Sequence, residues 1–115
     1  MATIPDFKRL YEAFNARELD ALLDMMTPDV DWPNGWEGGR VVGREAVRDY
    51  WLRQWREIDP TVTPQGIGVL TDGRVALDVR QVVKDRAGTV LSDATVRHIY
   101  RLQGGLVSGM DIDIA

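Results

Sequence analysis

The second half of the chain is the strongest constraint on the fold. Residues 61–70, 74–84 and 89–102 read as three long strands, and in the last two an apolar face alternates with a more polar one. A period of two marks a half-buried β-strand. Strands usually run to about five or six residues, so strands of this length must curve strongly to stay within one small domain. Pro64 and Gly66 interrupt the first run and predict a bend or bulge there. Asp85-Arg86-Ala87-Gly88 reads as a hairpin loop, and Gln103-Gly104-Gly105 turns the chain into a last strand, Leu106 to Ile114.

The first half reads as helix. Ile4, Phe7, Leu10, Tyr11 and Phe14 recur at spacings of three and four, with Pro5 and Asp6 suited to the first turn. A second helix is expected over Glu18 to Met26, stopped by Pro28, and a third over Arg44 to Ile58, opened by Gly43 and closed by Pro60. Val47, Tyr50, Trp51 and Trp55 would form the inward face of the third. Between them, Val30 and Trp32 form a short strand, and Pro33 to Gly39 reads as loop. Helices first and an antiparallel meander after predict one α+β domain over residues 1–115, three N-terminal helices packed on a strongly curved antiparallel sheet. A curved sheet roofed by helices makes a cone, and its interior is the natural pocket.

Composition narrows the partners. With fourteen Lys and Arg against eighteen Asp and Glu and no basic stripe, the net charge of −4 opposes nucleic acid. The chain has no cysteine, which excludes disulfides, thiolate catalysis and Cys-based metal sites. No apolar run is long enough to span a membrane, and Met1 to Asp6 lacks the basic and apolar regions of a signal peptide, so a cytoplasmic protein is expected.

Alternation then sorts the side chains. Val90, Ser92, Ala94, Val96, His98, Tyr100 and Leu102 share the apolar face of the 89–102 run, which points His98, the only histidine, toward the cone. One reading makes His98 a general base or a donor to a developing oxyanion; the other makes it a core histidine bonded to its neighbours. A lone histidine without a second ligand at metal spacing is not a metal site. Asp78 and Arg80 share the opposite face of their strand from Val75, Leu77, Val79 and Val83, which favours an ion pair on the convex side. In the last strand, Leu106, Met110, Ile112 and Ile114 fall on one side and Asp111 and Asp113 on the other.

Two stretches carry a family resemblance. Tyr11-Glu12-Ala13-Phe14-Asn15-Ala16-Arg17-Glu18-Leu19-Asp20, with Pro28-Asp29-Val30-Asp31-Trp32 and Gly43-Arg44-Glu45-Ala46-Val47, resembles the N-terminal half of SnoaL-like polyketide cyclases. His98-Ile99-Tyr100-Arg101-Leu102, Gly105-Leu106-Val107 and Met110-Asp111-Ile112 resemble their last hairpin. The resemblance implies the cone-shaped fold of nuclear transport factor 2 and ketosteroid isomerase. It implies a histidine at His98 paired with a catalytic aspartate at Asp111, which requires a bulge near Gly109. The isomerase's tyrosine, base and second aspartate fall on Leu10, Asn34 and His98, so its three roles are all changed. An epoxide-hydrolase-like set of Asp78, Arg80 and Asp111 has its order reversed along the strand.

The resulting expectation is a cofactor-independent cyclase, isomerase or hydrolase acting on a small apolar carbonyl compound. Asp111 would abstract the proton and His98 or Asn34 would stabilise the enolate, while Tyr11, Phe14, Trp32, Trp36 and Tyr100 contact the ligand. The competing expectation is a non-catalytic binding or dimerisation module. Apolar side chains left on the outer sheet face would pair two copies into a homodimer. Size-exclusion at high micromolar concentration should then give twice the chain mass; strictly monomeric elution would contradict it.

Overall fold

A computed structural model describes residues 4–35 and 37–113. Trp36 and Ile114, assigned above to the ligand wall and the last strand, lie outside the described residues. Helix α1 spans Phe7–Asn15 and α2 Leu19–Asp24; strands β1 (Met26–Pro33) and β2 (Arg40–Val42) precede helix α3 (Arg44–Glu57). Strands β3 (Ile58–Val69), β4 (Val75–Asp85), β5 (Val90–Gln103) and β6 (Leu106–Asp113) complete the chain. The six strands form one curved sheet in the order β2-β1-β6-β5-β4-β3.

The sheet is mixed, which corrects the antiparallel expectation: β1 runs parallel to β6, while the other pairs are antiparallel. Alternation within a strand shows which face is buried and says nothing about which neighbour it pairs with. Three other boundaries differ from expectation. Ile4 lies outside α1 and is exposed; Asp6 is the N-cap, its side chain accepting a hydrogen bond from the Arg9 backbone N–H. Pro28 lies within β1, between the two residues that register with β6, where the ladder is irregular. Pro60 does not close α3 but lies in β3, an edge strand, opposite Val83.

Three register shifts shape the antiparallel pairs, one of them between Val83 and Lys84 where β4 meets β5. The register of β3 on β4 shifts between Pro64 and Gly66, where Pro and Gly predicted it. In the last hairpin Arg101 faces Gly109 but Leu102 faces Val107, so Ser108 is the extra residue. This bulge carries Val107 rather than Leu106 into the core, where Val107 is fully buried and Leu106 is not. Beyond it Met110 lies opposite Tyr100 and Ile112 opposite His98, so Asp111 remains on the other face, opposite Ile99.

The concave face carries the core: Phe7, Leu10 and Tyr11 of α1, Leu22 of α2, and Val47 and Trp51 of α3 pack over Val30, Val75, Leu77, Val79 and Met110. The convex face of β4 and β5 is charged. Arg80 pairs with Asp93 at 2.7 Å, and Asp78 lies 3.5 Å from Arg97, so Asp78 and Arg80 pair across strands rather than with each other. The surface assigned above to a second copy is therefore charged along these two strands. No helix among the described residues is long and apolar enough to cross a membrane. If the Ser108 bulge sets the core, Val107→Ala should cost about 2 kcal/mol in urea unfolding and Leu106→Ala clearly less. The reverse order would contradict this register.

Candidate functional site

Between the helices and the inner sheet face lies a cavity of about 680 Å³. Apolar and aromatic side chains wall it, among them Leu10, Phe14, Trp32, Trp51, Val62 and Val96. Trp32 and Trp51 meet edge to face with ring centroids 5.3 Å apart, and Phe14 packs against Trp51 at 5.7 Å. The helices roof only the His98 end of β5; on the same face Ser92 and Ala94 are exposed, so the cavity opens along the far half of the β4–β5 hairpin. Val90, expected on this face, lies beyond a register shift, opposite Lys84.

At the covered end four polar side chains form one chain. The Tyr11 hydroxyl lies 2.7 Å from the Tyr100 hydroxyl and 2.9 Å from His98 Nδ1, and His98 Nε2 lies 2.7 Å from Gln81 Oε1. Each member comes from local periodicity: Tyr11 from the buried stripe of α1, His98 and Tyr100 from one face of β5, Gln81 from the matching face of β4. His98 and Gln81 are not cross-strand partners, since His98 faces Leu77 and Gln81 faces Ala94. Their side chains meet because the concave side of a curved sheet brings side-chain tips together. Gln81 is absent from the sequence expectation, although it shares the parity of Val75, Leu77, Val79 and Val83 and is the polar exception among them.

Burial sets the charge state of the chain. It lowers the His98 pKa to about 4, so the imidazole is neutral at pH 7. Burial also raises Tyr11 and Tyr100, which keeps both hydroxyls protonated. His98 is 4% exposed with both ring nitrogens engaged. The core reading and the pocket reading of His98 therefore both describe its place, because it is buried among partners at the cavity wall.

The other expected residues fall differently. Phe14, Trp32, Tyr11 and Tyr100 line the cavity. Asn34 is at its edge with its side chain holding the loop after β1: its Oδ1 accepts from the Glu37 backbone N–H at 2.7 Å and its Nδ2 donates to Glu37 Oε1. Asp111 also reaches the edge, but its carboxylate is 2.9 Å from Arg40 and 3.6 Å from Arg101. Asp31 binds the same two guanidiniums, at 2.8 and 3.6 Å. Gly109 makes this array possible, since a Cβ there would meet Arg101 Cζ at 2.6 Å. The bulge near Gly109 that an inward Asp111 requires thus exists, at Ser108, but it leaves Asp111 on the face away from Met110 and Ile112. Asp78 and Arg80 face outward in pairs of their own, so no Asp-Arg-Asp set forms with Asp111. Among the described residues no three His, Asp or Glu side chains come together as metal ligands.

The comparisons with known proteins agree with this architecture. The chain belongs to the family of SnoaL-like domains, whose profile matches residues 7–110. No curated protein matches it. Among solved structures it is similar to an NTF2-like protein of unknown function from Burkholderia pseudomallei (20% identity, 95% of this chain and 87% of that one, TM-score 0.81). It is also similar to a Mycobacterium tuberculosis protein in complex with estradiol-17beta-hemisuccinate (20% identity, 88% and 84%, TM-score 0.75). A third is SalBIII, an epoxide hydrolase/cyclase-like enzyme (18% identity, 95% and 87%, TM-score 0.79). At these identities the likeness is one of fold.

The His98 shift has a consequence for stability. Unfolded, the imidazole takes up its proton near pH 6.5; folded, it does so only near pH 4. Between these values the unfolded state holds the extra proton, so stability is present above about pH 6.5 and drains away as pH falls toward 4. The loss should be on the order of 3 kcal/mol. Urea unfolding at pH 7 and pH 4.5 should show it in the native protein and not in His98→Gln; equal pH slopes would contradict it.

Proposed function

We propose that the cavity binds a small, mostly apolar molecule bearing a carbonyl group, with its polar end toward the hydrogen-bonded chain of Tyr11, His98 and Gln81. The observation that carries this reading is one polar hydrogen-bonded chain at the covered end of an otherwise apolar and aromatic cavity of about 680 Å³. That volume lies within the usual range for ligand sites of about 300–1,000 Å³. The family assignment supports a small-molecule ligand, and so does the neighbour solved with a steroid hemisuccinate.

Binding has more support here than proton transfer. An enolising cyclase or isomerase needs a base beside the carbonyl. His98, with its pKa lowered to about 4, is a weak one. Asp111 is held by Arg40 and Arg101, and Asn34 is committed to its loop. A polarised carbonyl is within reach of this site; removal of its α-proton requires a carboxylate that His98 does not have among its partners.

Quenching of Trp32 and Trp51 fluorescence reports occupancy directly, since both line the cavity. Apolar ketones from 2-acetylnaphthalene to progesterone should quench saturably, with Kd of order micromolar. His98→Ala should weaken the best of them by about tenfold and Asp111→Asn by no more than about twofold. No saturable quenching by any of them, or an Asp111 effect as large as that of His98, would overturn the reading.

A further inference from the structure

The direction in which the protons run along the buried chain decides what the cavity can recognise. A neutral imidazole carries one proton, on one nitrogen only. An amide oxygen only accepts, so the nitrogen facing Gln81 Oε1 at 2.7 Å, His98 Nε2, holds that proton. Nδ1 then accepts from the Tyr11 hydroxyl, and the Tyr11 oxygen accepts from Tyr100. Every member is satisfied in this direction.

The opposite direction fails at its closed end. With Gln81 turned over, its amide nitrogen would donate to Nε2, Nδ1–H to Tyr11, and Tyr11 to Tyr100. The Tyr100 hydroxyl would then need an acceptor of its own. Tyr100 is 1% exposed, and among the described residues its hydroxyl bonds only to Tyr11. A buried donor left without an acceptor bears its full desolvation cost, so the chain is held in the first direction.

The consequence appears at the other end. Gln81 lines the cavity, its Oε1 is used by His98, and its Nε2 has no partner among the described residues. The geometry points to Gln81 as a specificity-determining residue whose amide N–H groups read a hydrogen-bond acceptor, a carbonyl oxygen, on the bound molecule. Tyr11, Tyr100 and His98 do not touch that oxygen but fix the amide's orientation. The assignment rests on the ligand reading above and adds the atom that discriminates. Polar molecules that can only donate meet a donor and are rejected.

Two measurements test it. In the ligand-free protein, ¹⁵N NMR of His98 should show the Nε2–H tautomer at pH 7. In the second, 2-acetylnaphthalene is compared with 2-isopropenylnaphthalene, which has the same shape and a methylene in place of the oxygen. The native protein should prefer the ketone by about tenfold. Gln81→Glu, which keeps an acceptor for His98 and removes the amide donor, should lose that preference while still binding the hydrocarbon. Gln81→Met should lose it as well, which covers the case of a Glu variant that does not fold. An Nδ1–H tautomer, or a ketone preference unchanged in both variants, would overturn the assignment with ligand binding intact. Failure of both probes to bind, with the Nε2–H tautomer observed, would instead defeat the ligand reading and this assignment with it.

Discussion

Three buried polar side chains and a half-buried fourth have to satisfy one another beneath an apolar roof, and the site takes its form from that requirement. Tyr11 bridges helix α1 to β5 through His98 and Tyr100, and His98 in turn reaches β4 through Gln81. Removing one member would leave its neighbours with unmet donors or acceptors in a low-dielectric interior, where that cost is greatest. Aromatic packing surrounds the chain: Phe7 lies 4.8 Å from Tyr100, and Trp32 6.2 Å, centroid to centroid. The polar chain thus ties α1 to β5 and β4, and the cavity lies beside it.

Charge is kept elsewhere. Asp31, Arg40, Arg101 and Asp111 form an alternating array across β1, β2, β5 and β6. The Arg40 guanidinium, followed by Arg101, holds Asp31 below the usual carboxylate range. These side chains are roughly a third to a half exposed, where ion pairs add little stability and are screened by salt. The array nonetheless positions Asp111 by occupying its carboxylate. A neutral covered end beside a charged rim would suit the uncharged ligand proposed above.

Much of this was legible from periodicity. The i, i+3, i+4 stripe placed Phe7, Leu10 and Tyr11 in the core, and the period of two placed Val96, His98 and Tyr100 on one inner face. Pro64 and Gly66 marked their bulge because both disrupt a ladder through their own backbone chemistry. The parallel β1–β6 pairing was not legible, because it brings together residues at opposite ends of the sequence through backbone groups that every residue carries. Strand β2 is three residues long and sits in a glycine-rich stretch with no alternation to read. The Ser108 bulge lies beside Gly109, where one was required, but its effect on Asp111 was not legible. Gly109 advertises backbone freedom, yet its lack of a side chain serves to let Arg101 lie across β6. Gln81 was less legible: it shares the parity of Val75, Leu77, Val79 and Val83, and only its polar side chain sets it apart from them.

A crystal structure of the protein with an apolar ketone such as 2-acetylnaphthalene bound would show most directly whether Gln81 holds the carbonyl. The ring system should lie between Phe14, Trp32 and Trp51, with the carbonyl oxygen about 3 Å from Gln81 Nε2. A ketone seated with its oxygen at Arg40, or bound outside the cavity, would contradict that placement.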